Sequence, residues 1–417
     1  MEGMALRCIG ILITLLAILL PLPVQAAFEL EPRLLVREEF TDNLYLDDVD
    51  EESDFITTVA PGVLLSYDAR LLDLELDYSL HFLQYLHHDE EDETSLKDTQ
   101  RVRFQGELLP DQDFSLSVVD EYQRVTIDSR RQVDDDNPFV NKSNRNRLLV
   151  NPEYRCRRFA TFVPVVGYRY ERLDYDEPEG DDSERHDFYA DLEKELNPKM
   201  TVTLGYLYGI YQAQGDLDDE EEDYKRQDLT GRLDYQFSPA LTLHAGVGSA
   251  WIDYEERSDE QALTWNLALD WQPGSRWQAG LVYSEDFAVS VNEGLSRNRR
   301  AEAWFSYLER LPWEVRVFAE KQDYRTVDRE DRGAGLNARV SVPLHGRLSL
   351  DLTGEGSLWR FLPEDEDVFR CGAGLALSYR IRFGLLSVGY RYRESNSDLD
   401  ENDYQSNLAY VQLSLTF

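Results

Sequence analysis

Two small groups of residues carry the types that catalysis needs. His244 and Asp270 share one parity on neighbouring alternating segments, and His81 lies close to Ser79 and Asp77 on another. A nucleophile, a base and an orienting group within hydrogen-bond reach would make either a hydrolytic centre, but alternation alone sets no such distance. The Gly-x-Ser-x-Gly elbow, the phosphate loop, the His-Glu-x-x-His helix and paired Cys-x-x-Cys are absent from the chain. The expectation is a protein that is not an enzyme and uses no cofactor.

Carboxylates dominate the rest: 81 Asp and Glu stand against 43 Lys and Arg, for a net charge of -38. That balance argues against nucleic acid, which requires a basic footprint. The acids gather in runs, from Asp47 to Asp54, Asp89 to Glu93, Asp134 to Asp136, Asp176 to Glu184, Asp216 to Asp223, Glu364 to Asp367 and Asp398 to Asp403. None has the alternating Asp spacing and turn glycine of a calcium loop, so they read as solvated loops and no metal site is assigned. Cys156 and Cys371 fall on distant segments, beyond disulfide reach, and on the apolar parity, as small fillers.

The elements that position these charges are strands. Leu72, Leu74, Leu76, Tyr78, Leu80 and Phe82 alternate with Asp73, Glu75, Asp77, Ser79 and His81, and Leu263, Trp265, Leu267, Leu269 and Trp271 alternate with Thr264, Asn266, Ala268 and Asp270. Period-2 alternation makes one apolar and one polar face. Long acidic connections take turns with tight ones such as Asn197-Pro198-Lys199, Pro273-Gly274-Ser275 and His345-Gly346. Ten long and nine short connections give about 20 strands, with 18 as the alternative if the pair from Leu34 to Tyr67 is irregular. Long outer loops and short periplasmic turns are the habit of outer-membrane β-barrels. A β-sandwich also alternates, but Trp271, Trp277, Trp313, Tyr235 and Phe237 sit beside the tight turns, where an interfacial aromatic girdle belongs. The mean hydropathy of -0.52 is compatible with a barrel, whose lumen-facing half is polar. The fold class expected is all-β: a single transmembrane antiparallel up-and-down barrel over residues 27–417.

Both ends of the chain fit that reading. Met1 to Ala26 has Arg7, an apolar run from Cys8 to Leu20, two prolines and a small-residue site at Ala26, the pattern of a cleaved secretory signal peptide. At the other end Ala409, Val411, Leu413, Leu415 and Phe417 form the apolar parity of a last strand. It resembles the C-terminal recognition strand of bacterial outer-membrane barrels, which the barrel insertion machinery reads. Outer-membrane lipid and lipopolysaccharide are the surroundings such a barrel implies. Strand pattern beginning near Leu34 leaves no room for an N-terminal plug, which argues against a TonB-dependent transporter.

On the polar parity the charges are mixed, and only six of the 43 basic residues are Lys. Arg145, Arg147, Arg155, Arg157, Arg169, Glu171, Asp187 and Asp191 are the candidates for a lumen-facing selectivity wall. Arg offers a bidentate fork for carboxylates and for anionic or hydroxylated ligands. The other reading of the same residues is a ladder of ion pairs that keeps the wall polar and rigid.

The segments PRLLVREEFTDNLYL, from Pro32, and SDFITTVAPGVLLSYDARLLDLELDYSL, from Ser53, carry a Glu-x-aromatic-Thr-Asp-Asn-aliphatic stretch at Glu38 to Leu44 and a Thr-x-x-Pro-Gly-aliphatic stretch at Thr58 to Val63. In these residues the chain resembles the β-barrel porin 2 family of proteobacterial outer-membrane proteins; beyond them the likeness is architectural. Members are often encoded beside exopolysaccharide and exosortase genes. The resemblance implies a conduit in exopolysaccharide export, with a periplasmic polysaccharide export protein as partner, and it assigns no binding residue. A general diffusion porin for small hydrophilic solutes and a structural or adhesive barrel using its acidic loops are the alternatives.

Overall fold

The computed structural model describes residues 27–126, 142–159, 161–176, 180, 182–213, 223–255, 257–290, 294–325, 327–399 and 402–417. The segment Met1 to Ala26, expected to be a signal peptide, the acidic run at Asp134 and most of the run beginning at Asp216 lie outside them. One antiparallel sheet takes up nearly all the rest. It opens with β1 (Ala27–Thr41) and β2 (Asp54–Ala69); the next stave is broken at His81 into β3 (Leu72–Leu80) and β4 (Phe82–Tyr85). A single-turn helix, α1 (Leu96–Thr99), leads into β5 (Gln100–Leu108), followed by β6 (Phe114–Thr126), β7 (Lys142–Arg155) and β8 (Val163–Tyr175). Then come β9 (Ser183–Asn197), β10 (Met200–Ala213), β11 (Tyr224–Ser238), β12 (Leu241–Tyr254) and β13 (Glu260–Trp271). The series continues with β14 (Trp277–Val289), β15 (Leu295–Tyr307), β16 (Trp313–Tyr324) and β17 (Glu330–His345). It ends with β18 (Leu348–Leu362), β19 (Glu366–Ile381), β20 (Gly384–Ser397) and β21 (Tyr404–Thr416).

Each stave pairs with the next, and β21 returns to β1 from Arg33↔Thr416 to Thr41↔Leu408, closing a barrel of 20 strands. Closure satisfies the backbone groups that an open edge would leave bare in lipid. The first pair is regular, from Ala27↔Asp68 to Thr41↔Asp54, which rules out the count of 18. It also begins before Leu34, because Phe28 and Leu30 already carry the outward apolar parity, at 59% and 51% exposure.

Ion pairs that skip a strand tell the inner face from the outer. Side chains converge on the concave side of a curved sheet and diverge on the convex side. Arg33 on β1 reaches over β2 to Asp77 on β3 at 3.0 Å, Arg155 on β7 reaches over β8 to Glu193 on β9 at 2.6 Å, and Arg232 on β11 reaches over β10 to Asp191 on β9 at 2.5 Å. The last contact runs above Gly205, where a Cβ would stand 2.5 Å from the Asp191 carboxylate. The polar parity is therefore the lumen wall, and Leu204, Leu263, Trp265 and Val411 are bare on the outside. Trp277 stacks with Phe305 at 5.4 Å and meets Trp313 at 6.2 Å beside the tight turns, an aromatic girdle at that end.

The two motifs at the start of the chain have structural work at the seam. Asp42 accepts hydrogen bonds from the Asn407 backbone N–H and side-chain amide, both at 2.7 Å. The Asn43 side-chain amide donates to the Gln405 carbonyl at 3.0 Å and the Asp47 carbonyl at 2.6 Å. Together they latch the end of β1 to β21. Gly62 faces Ser79 in register, and a Cβ there would approach the Tyr78 carbonyl to 3.0 Å, so the Pro61-Gly62 step marks a close approach of β2 to β3.

Candidate functional site

The lumen wall from β6 to β11 is an interlocked ladder of charges. Arg147 donates to Glu171 at 2.7 Å and lies 3.6 Å from Glu121. Arg155 is held by Glu193 and, at 3.4 Å, by Glu153. Asp187, buried, takes Arg185 at 2.9 Å and Arg169 at 3.8 Å, and the Arg169 guanidinium lies 5.8 Å from the Tyr189 ring centre. Asp191 is engaged by Arg232, a partner on a strand that parity alone does not connect to it. Arg145 stands at the upper end of the same face, level with Gln123 and Tyr175. Arg157 departs from the expected wall position: it lies past the end of β7, in the turn, and donates to the Asp111 carbonyl at 2.8 Å. A guanidinium paired this way presents less net field to a passing solute than a free one.

The histidines are placed differently from the expectation. His244 is opposite Asp234 in register and bonds it at 2.5 Å, while Asp270 lies opposite Thr242. His81 contacts Ser79 at 3.0 Å. Neither pair is arranged as nucleophile, base and orienting acid.

Sequence reasoning did not see the element that narrows the lumen. β13 and β14 are paired only from Trp271↔Ala279 up to Trp265↔Glu285; above that, Glu260 to Thr264 have no β14 partner. The upper β14–β15 hairpin leaves the wall and folds inward. Phe287 and Leu295, which continue the outward parity of the hairpin, are packed against Tyr211, Tyr224, Ala250, Ile252, Tyr254 and Ala262 from the inner face of β10–β13. Arg226 on β11 clamps it, at 2.7 Å from Asp286 and 2.8 Å from Asp228, with the Phe287 ring centre 5.6 Å away. Behind the hairpin, Glu285 accepts from Arg297 at 2.5 Å and Arg299 at 2.8 Å, and Arg325 reaches Glu260 at 2.9 Å.

On the opposite side the β1–β2 loop turns in. Leu44 is 1% exposed and packs on Ile56 and Tyr85. His88, in the loop after β4, bonds Asp54 at 2.8 Å and Glu52 at 2.5 Å. These two carboxylates hold its imidazole above the ordinary histidine value.

No family model and no curated protein matches this chain. Among solved structures, the ferric enterobactin receptor PfeA of Pseudomonas aeruginosa in complex with enterobactin is similar at a TM-score of 0.53 and 10% identity, covering 94% of this chain and 82% of the receptor. The siderophore receptor PirA of the same organism is similar at 0.50 and 12%, covering 93% and 80%. The fold is that of an outer-membrane β-barrel. OccK2 of Pseudomonas aeruginosa aligns at a TM-score of only 0.40 and 12% identity, over 93% of this chain and 98% of OccK2. At these identities the likeness is one of architecture, and ligands do not carry over.

Proposed function

We propose that this chain sits in the outer membrane and passes a hydrophilic polymer or solute through its lumen without chemistry. The observation that carries the reading is the continuous charged inner wall of a closed barrel, faced outward with apolar side chains. The resemblance at Glu38 to Leu44 and Thr58 to Val63 supports exopolysaccharide export as the specific role, with a periplasmic export protein delivering the chain. The inward hairpin favours a second reading, a diffusion porin for small solutes, because it takes up room a polymer would need.

Planar-bilayer conductance of the purified barrel tests the conduit. Wall charges act over about a Debye length, ~8 Å at physiological salt, so a narrowed lumen should feel them more than an open one. Arg147→Gln, Arg155→Gln and Arg169→Gln together leave Glu171, Glu193 and Asp187 without these partners. The reversal potential should then move toward cation preference, most at low salt. A folded barrel that never conducts, with surface polysaccharide and solute uptake unchanged in a deletion strain, would sink the conduit and leave the adhesive reading. Polysaccharide loss in that strain, with solute uptake intact, selects export over diffusion.

A further inference from the structure

The sector of wall across from the acidic β9 has the opposite character. The inner face of β19 and β20 carries Arg370, Arg380, Arg391 and Arg393, with Glu366 as its carboxylate at the upper end. β21 adds Tyr, Ser, Leu and Gln on that face and no charge. On β9 the same face carries Asp187, Asp191, Glu193 and Glu195 with Arg185. On the inner face of β19 and β20 arginine outnumbers carboxylate, in a chain whose net charge is -38.

A recess of about 460 Å³ opens there, on the inner face of β16–β20. That is within the ~300–1,000 Å³ of small-ligand sites. One lateral row of register partners crosses it: Arg339, Thr353, Gly374 and Arg391. The two arginines stand three strand spacings apart, about 14 Å at the backbone; Gly374, between them in the row, leaves room for the Thr353 hydroxyl, which a Cβ there would meet at 2.6 Å, and Gly354 and Gly372 are among the residues that line the recess. The carboxylates of the recess are already engaged. Glu314 lies 3.1 Å from Arg316 and Glu355 lies 3.4 Å from Arg393. Arg339 is the open one, with its side chain 68% exposed and Asp351 at 3.6 Å.

We infer that this recess binds a hydroxylated carboxylate of sugar-acid size, its carboxylate between Arg339 and Arg391 and its hydroxyls toward Thr353 and Asn337. The guanidinium fork matches a carboxylate. Among the described residues no aromatic ring lines the recess, so a neutral sugar has no face among them to stack on, and charge must carry the selection. The inference rests on the conduit reading only in that the ligand must reach the lumen.

Calorimetric titration of the folded barrel in detergent with sodium glucuronate tests it, with glucose as the uncharged probe. Saturable glucuronate binding that weakens with salt, and no response to glucose, is the expected result. Arg339→Gln and Arg391→Gln should each weaken binding roughly tenfold, and Arg276→Gln, in the β13–β14 turn, should leave it unchanged. The variants are made singly and checked by heat-modifiability, and Thr353→Val removes a hydroxyl with no change of charge should either Gln variant fail to fold. No saturable glucuronate binding by the wild-type barrel, or binding indifferent to both arginines, overturns the inference. A barrel that conducts without binding glucuronate sinks the recess alone; one that binds it and never conducts sinks the conduit alone.

Discussion

Replacing Phe287 with alanine should free the inward hairpin and widen the lumen. The ring is 7% exposed and is packed among the inner-face side chains of β10–β13. Deleting a buried Phe side chain costs about 3–5 kcal/mol. If that loss falls on the docking of the hairpin, the docked-to-undocked ratio drops by ~2–4 orders of magnitude. The geometric effect is also large. Twenty strands spaced 4.7–4.9 Å apart and tilted near 40° make a circular barrel about 40 Å across between backbones. The residues from Asp286 to Val289 extend about 13 Å, roughly a third of that. Single-channel recording should show larger or more frequent open levels for Phe287→Ala, and Asp286→Asn, which weakens the clamp from Arg226, should add to the effect. A Phe287→Ala barrel that remains heat-modifiable and conducts with wild-type amplitude and fluctuation would refute the hairpin as the narrowing element.

Three further outcomes follow from the geometry. Leu267→Arg places a charge toward lipid at a cost of about 2–4 kcal/mol, whereas Ala268→Arg points into the lumen; equal loss of heat-modifiable barrel in the two would contradict the assigned faces. At the seam, Asp42→Ala leaves the Asn407 donors without their carboxylate, worth about 1–3 kcal/mol, and deletion of Phe417, whose N–H bonds the Pro32 carbonyl at 3.0 Å, should lower the amount of folded barrel; full insertion of either would count against the latch. His88 is raised by Asp54 first and Glu52 second. Its contribution to loop order is therefore complete below the unfolded value and is lost as pH rises through the elevated folded one; amide exchange in the β1–β2 loop should loosen over that range, and His88→Gln should remove the dependence.

Strand number, faces and turns were readable because a barrel repeats one local rule. Each wall position is decided by its own parity, and each tight turn by residues such as Pro198 or Gly274. The hairpin was not readable in that way, since Phe287 and Leu295 keep the parity of lipid-facing residues. The available signal was Glu285, Arg297 and Arg299, three charges on that same outward parity, which lipid would not tolerate. Partner identity was also hidden. Parity puts His244 on the inner face but cannot say that Asp234, and not Asp270, stands opposite. Nor does it show that Arg339 and Arg391 stand at the two ends of one lateral row, because that depends on the register of four strands at once.

The latch at Asp42 and Asn43 bears on how the barrel comes together. Thr41 and Leu408 are register partners, so the seam joins segments separated by nearly the whole described chain, and closing a loop of that length costs about 5 kcal/mol of chain entropy. Hairpins along the wall form between neighbours and cost far less, so the seam is the ladder with the highest entropic cost to close. Until it closes the sheet has two bare edges, and a slip of two residues between them would keep every side chain on its proper face. The bonds from Asp42 to Asn407 and from Asn43 to Gln405 fit only one of those alignments. They fix the register at the closing pair, the last term in the shear that, with strand number, sets strand tilt and lumen width.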